Sequence, residues 1–272
     1  MNQINMNQTL TVKNAFGIVL VSILVAILAG SVPFFFSTTF LPEENTRIIS
    51  LLSLFFGQTF MIVPLLLFLH LKKEPLAERL RLQPVSTTVL SATTLLSVGI
   101  VIISDEIDRL ANLVLPQPDY FNQLSNMLRF DSVLSVFFLL STISILAPLG
   151  EELLFRGFLQ KILEESWKDI TKAILITSIF FAFIHMNPYW IIQIYFMGIL
   201  LGYLAWRTGS IIPSFILHGI NNTFALFLNN TTSPIEHIYS WNGHVTPLLL
   251  ALAVGLIVFG FKRLHTHLEI LS

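Results

Sequence analysis

Ala147-Pro148-Leu149-Gly150-Glu151-Glu152-Leu153-Leu154-Phe155-Arg156-Gly157-Phe158-Leu159 sets two adjacent acids and one base inside an apolar run. The run extends on both sides, over residues 133–163. About 20 apolar residues are enough to span a bilayer. A charge at bilayer depth costs roughly 2.5–3.5 kcal/mol on insertion scales, so ionisable residues in such a helix ordinarily mark function. Arg156 stands four residues after Glu152 and faces it on a helix. Glu151 lies about 100° further round. One acid can therefore be neutralised by the arginine while the other points elsewhere. A packing salt bridge needs one acid and one base, and the surplus acid suits a general base. Pro148 removes a backbone N–H and leaves the Ser144 carbonyl without its helical partner. Gly150 loosens the same turn. Broken helices at membrane depth persist where they line a cavity or are buried in protein.

The composition supports a membrane setting. The 272 residues are 54% hydrophobic and 11% charged, with mean hydropathy +0.76. Soluble domains carry roughly 25% charged residues. The net charge of −1 says nothing about partners, and with no basic tract to suggest one, no nucleic-acid partner is expected. Zero cysteines exclude disulfides, thiolate metal sites and a cysteine nucleophile.

Apolar segments at 14–36, 48–71, 86–104, 133–163, 172–186, 189–206, 210–228 and 246–262 predict an all-α polytopic bundle of about eight transmembrane helices. The whole chain, 1–272, reads as one membrane domain, with its polar motifs in a core at 140–228. The first segment exceeds a signal-peptide core and reads as an uncleaved helix. With both termini cytoplasmic, Lys13, Lys72, Lys73, Arg79, Arg81, Lys161, Lys168, Lys172, Arg207, Lys262 and Arg263 gather inside, against Arg47, Arg109 and Arg129 outside. That bias orients the bundle. The connection 105–131, outer on this count, mixes acids, Asp119 among them, with apolar residues. It reads equally as a surface helix or lid and as a solvated loop. His265 and His267 read as solvated residues past the last helix.

Two further polar clusters lie in apolar segments. Phe181-Ala182-Phe183-Ile184-His185 ends a stretch of roughly 22 Å, short of the roughly 30 Å hydrocarbon core. Asn187-Pro188 and His185 are therefore expected below the membrane surface. His218 and Asn222 are four residues apart and share a helix face. Either cluster alone reads as a satisfied core histidine or as interhelical glue. Taken at matching depth, both can meet Glu151 in one buried polar pocket. Gly198-Ile199-Leu200-Leu201-Gly202 is a GxxxG and reads as close helix packing.

In this order, Glu151-Glu152-x-x-x-Arg156, Phe181-x-x-x-His185 and His218-x-x-x-Asn222 resemble the CPBP family of intramembrane proteases, also called ABI, which includes the type II CAAX prenyl endopeptidases. The resemblance covers about 140–228. It implies that Glu151 activates the attacking water with help from His185. It implies that His218 and Asn222 stabilise the oxyanion, and that Glu152 and Arg156 hold the site together. The expected partners are a peptide or membrane-protein substrate and the lipid bilayer. The substrate could be a prenylated tail, a leader peptide or a membrane peptide. The expected location is a bacterial cytoplasmic membrane.

Two alternatives stay open. Glu151, His185 and His218 could ligate zinc, which takes three protein ligands plus water at catalytic sites. No HExxH is present, so a metal-free mechanism is favoured and no cofactor is expected. Buried Glu/His sets also serve as proton relays, so a proton-coupled transporter, or an immunity or scaffold protein, is the non-catalytic reading.

Overall fold

The computed structural model describes residues 10–40, 43–118, 120–231 and 233–271. Asp119 lies outside them. The protein is all-α, as the hydropathy predicts, with one short antiparallel pair, β1 (Ser240–Trp241) and β2 (His244–Val245). The helices are α1 (Val12–Phe40), α2 (Glu43–Met61), α3 (Val63–Leu71), α4 (Leu76–Arg79), α5 (Thr87–Val114), α6 (Tyr120–Met127), α7 (Val133–Leu139), α8 (Ala147–Glu152), α9 (Gln160–Trp167), α10 (Ile170–Ile184), α11 (Ile191–Thr208), α12 (Ile212–Leu228), α13 (Ser233–Tyr239) and α14 (Pro247–Leu271).

Among the described residues six spans are long and apolar enough to cross a membrane: Val12–Phe36, Arg47–Leu71, Thr87–Val114, Val133–Trp167, Ile191–Thr208 and Pro247–Glu269. The two remaining predicted segments appear as the shorter apolar helices α10 and α12. Only 17% of the Val12–Phe36 window is buried, although its mean hydropathy is 2.6. A surface that apolar and that continuous calls for lipid as its solvent. The core forms around the 153–163 stretch, where Leu154, Phe155, Phe158, Leu159 and Leu163 pack with Leu65, Leu69, Leu201 and Leu217.

The span Val133–Trp167 is interrupted where Pro148 predicts. Leu140–Leu146 and Leu153–Leu159 are π-helical and flank α8. The Ala147 N–H reaches back to the Thr142 carbonyl, and the Gln160 N–H to that of Phe155, each five residues earlier. The first of these segments holds Ser144, whose carbonyl loses its partner to the missing Pro148 N–H, and π segments often sit at functional sites. Lys168 then turns the chain at φ 55°, and the Asp169 carboxylate caps α10 by accepting the Lys172 N–H at 2.9 Å.

Three boundaries correct the hydropathy reading. The predicted helix 86–104 runs on to Val114, so residues 105–114 are helix rather than connection. Its polar end is stabilised by the Arg109–Asp105 pair at 2.7 Å, four residues apart. The predicted segment 48–71 is divided at Ile62, because Pro64 starts a new helix. The last helix continues to Leu271, which places His265 and His267 on it. Their Nε2 atoms stand 2.7 Å from Tyr203 Oη and 2.7 Å from Ser86 Oγ, so they join helices rather than face solvent alone.

Glycines allow close backbone approach at the centre. A Cβ on Gly198 would meet Ser178 Cβ at 3.0 Å, and one on Gly202 would meet Gln160 Oε1 at 2.8 Å, which is the close packing expected of the GxxxG. At Gly157 a Cβ would meet the Leu80 carbonyl oxygen at 2.8 Å and Leu80 Cα at 3.1 Å. Backbone cannot step aside as a flexible side chain can. Gly157→Ala should therefore lower stability by about 1–3 kcal/mol, read as a fall in the thermal midpoint in detergent. An unchanged midpoint would mean that the Leu80 turn moves freely.

Candidate active site

Glu152 and Arg156 form the buried pair expected from their spacing, with Nη1 to Oε1 at 3.0 Å and both side chains 0% exposed. Arg156 is also held by the Gly198 carbonyl, which accepts from Nη2 at 3.2 Å. Its guanidinium carbon lies 4.1 Å from the Phe181 ring centroid, a cation–π contact inside the protein. The arginine thus ties the 153–159 turn to α11 and α10.

Glu152 does more than the spacing showed. Its Oε1 also accepts from His218 Nδ1 at 2.9 Å. A carboxylate only accepts, so Nδ1 carries the proton and Nε2 presents a lone pair. His185 is set the same way, because its Nδ1 donates to the Phe181 carbonyl at 2.7 Å. Both Nε2 atoms face Glu151 Oε2, at 3.7 Å from His218 and 3.9 Å from His185. That oxygen is buried and accepts no direct hydrogen bond from the described residues. Three acceptors thus converge on one point, at separations too long for direct bonding. A water donating to two of them would hold that pair up to about 4.6 Å apart, given bonds of about 2.8 Å in tetrahedral array.

Asn222 is part of the same construction. Its Nδ2 donates to the Ile143 carbonyl at 3.1 Å, within the π-helical turn. One Nδ2 hydrogen remains for another acceptor. A Cβ on Gly219 would come within 2.9 Å of the Ser144 carbonyl, so α12 lies directly against the turn that Pro148 opens.

These residues line a cavity of about 650 Å³, with Glu151, Phe181, His185, His218 and Asn222 in its wall. It extends along α5 and α12 to Gln117, Ser125 and Asn229. The helix α6, which the sequence left open between lid and loop, borders it through Phe121 and Ser125. Phe121 packs edge-on against Trp190, ring centroids 4.9 Å apart, and Ser125 Oγ donates to Asn229 Oδ1 at 2.6 Å. Sequence reasoning did not single out Gln193 or Asp108, which also line the cavity. Only the packing of α5 against α11 brings them there.

The donor chemistry at Glu151, His185 and His218 is compatible with zinc, but the spacing is looser than a closed site. Bonds of about 2.0–2.1 Å in a tetrahedron place ligand atoms about 3.3–3.4 Å apart. The separations to Glu151 Oε2 are 3.7 and 3.9 Å. Among the described residues no group of three His, Cys, Asp or Glu stands at metal-holding spacing.

Fold and site together define a multi-pass helical membrane protein with a carboxylate–histidine pocket among its helices. Residues 133–224 match the family model described as Type II CAAX prenyl endopeptidase Rce1-like. The match spans all seven motif residues and bears out the resemblance to the CPBP family over that segment. No curated protein and no solved structure matches the chain.

Proposed function

We infer that the protein is an intramembrane endopeptidase that cleaves a peptide bond with a water activated by Glu151. The observation that carries this reading is the convergence of Glu151 Oε2 with two histidine Nε2 lone pairs on one cavity wall. A water there donates to two of the three acceptors and keeps an oxygen lone pair for attack. Glu151 takes a proton as the water oxygen bonds to the scissile carbonyl carbon. The remaining Asn222 Nδ2 hydrogen is the donor available to the tetrahedral oxyanion. His218 can donate to it from Nε2 only as the imidazolium, since its Nδ1 proton is committed to Glu152. Collapse of the intermediate breaks the C–N bond, and the proton held by Glu151 passes to the leaving amine. His185 and His218 orient the water, while Glu152 and Arg156 hold His218 and the helix turn.

The whole chain acts as one membrane domain in a bacterial cytoplasmic membrane. Its termini lie in the cytoplasm and eight helices cross the bilayer, as the lysine and arginine bias supports. The substrate is a peptide segment able to enter a membrane-enclosed cavity, a description met by a prenylated tail, a leader peptide or a membrane-protein segment.

Zinc is the second reading, because both histidines have their Nδ1 protons engaged, as metal-ligating histidines do. Glu151, His185 and His218 would hold the ion, which would lower the pKa of a bound water. The two readings separate in one experiment. Purified protein, stripped with chelator and assayed for metal, should keep its peptidase activity. His185→Ala should lower that activity about 10²-fold or more with no change in bound metal. Activity that disappears with chelation and returns with zinc would overturn the metal-free mechanism. Full cleavage by both Glu151→Ala and His185→Ala would overturn the site.

A further inference from the structure

The cavity wall on α5 carries Val101, Ser104, Asp105 and Asp108, at spacings that share one helix face. The carboxylates of this stretch are matched unequally. Asp105 accepts from Arg109 Nε at 2.7 Å. Glu106 accepts from the Val245 N–H at 2.7 Å and pairs with His244 at 2.8 Å. Asp108 accepts a neutral amide N–H, from Gln193 Nε2 at 2.9 Å, and among the described residues it has no ion-pair partner. Among the described residues no lysine or arginine lines the cavity, whereas Asp108 and Glu151 both do. Independently, the buried Glu151 Oε2 in the same cavity has no direct hydrogen-bond partner among the described residues.

A cavity with low-dielectric walls and surplus negative charge focuses its field on whatever enters. A carboxylate bonded only to an amide is stabilised by an arriving cation, because a buried charge needs a counter-charge more than an exposed one does. A lysine or arginine side chain fits this wall in both its parts. Its aliphatic stem can lie along Ile194 and Met197, which line the cavity beside Gln193. Its charged head can then reach Asp108.

We propose that Asp108, held in place by Gln193, is a specificity-determining residue that receives a basic side chain of the bound peptide. The preferred substrates are therefore apolar peptides with a lysine or arginine close to the scissile bond. The proposal rests on the peptidase reading above for its site and adds the chemistry of the substrate.

The test uses two short leucine–alanine peptides, identical except for a central lysine or norleucine, with the full-length protein in detergent. The ratio of kcat/KM for the lysine over the norleucine peptide should be about tenfold or more, the scale of a charge-assisted hydrogen bond. It should fall toward parity in Asp108→Asn and recover in Asp108→Glu. A general structural role would lower both peptides together and leave the ratio unmoved, which overturns the proposal. Equilibrium binding of the same pair to Glu151→Gln protein supplies a second readout, expected to show the same preference. If the wild type cleaves neither peptide but binds the lysine peptide in an Asp108-dependent way, the peptidase reading falls and the recognition stands. If it cleaves both without preference, the recognition falls and the peptidase reading stands.

Discussion

Glu151→Gln is expected to lower peptide hydrolysis by about 10²–10⁴-fold, the range for removal of a general base. The helical fold and thermal midpoint should stay close to the parent's. The asymmetry follows from the local contacts. Among the described residues Glu151 Oε2 accepts no direct hydrogen bond, and the nearest histidine nitrogens are 3.7 and 3.9 Å away. An amide of nearly the same shape therefore breaks no bond of the folded state, while it removes the basic oxygen. Product peptides counted by mass spectrometry, with circular dichroism on the same sample, check both halves. Retained hydrolysis would show that another group activates the water. A collapsed fold would show that Glu151 has a structural duty that its contacts do not reveal.

Arg156→Met is expected to have the largest effect on stability, about 3–5 kcal/mol. Its guanidinium is fully buried with Glu152, and it also donates to the Gly198 carbonyl. Removing the arginine alone strands a buried carboxylate. The double variant Glu152→Gln/Arg156→Met removes both charges, so it should be more stable than Arg156→Met alone. Its activity should stay well below the parent's, because a neutral amide in place of the Glu152 carboxylate holds the His218 Nδ1 proton less firmly than the present 2.9 Å bond does. Thermal unfolding in detergent orders the three proteins. A double variant no more stable than the single one would show that charge stranding is not the cause.

These predictions put opposite demands on two neighbouring glutamates. A spacing argument already separates them, since Arg156 can face only one. What spacing could not supply is the second partner of Glu152. His218 is 66 residues away on α12, and no local pattern reveals that Glu152 fixes its tautomer. The histidine pair shows the same limit. FxxxH puts the Phe181 carbonyl one helical turn before His185, so its Nδ1 bond is a local event. That its Nε2 then faces the same oxygen as His218 depends on how α10 and α12 pack on the interrupted span.

Hydropathy located the apolar helices well because each must satisfy its own backbone in lipid, which makes apolar length itself the signal. It failed at helix ends. Residues 105–114 are polar enough to read as connection, yet i, i+4 pairing and contacts with β2 keep them helical. It failed likewise at His265 and His267, whose partners Tyr203 and Ser86 lie on distant helices.

The sequence by itself determined a polytopic all-α membrane protein with a broken, doubly acidic helix and three ordered polar motifs. Those features are set by apolar length, by the missing proline N–H and by spacings of three and four residues, all local properties of a helix. Only the tertiary structure decided which atoms meet. The Nε2–Glu151 convergence, the shared Glu152 oxygen and the Asp108 wall of the cavity arise from helices distant in sequence. Their side chains come together because small residues and π turns let those helices approach.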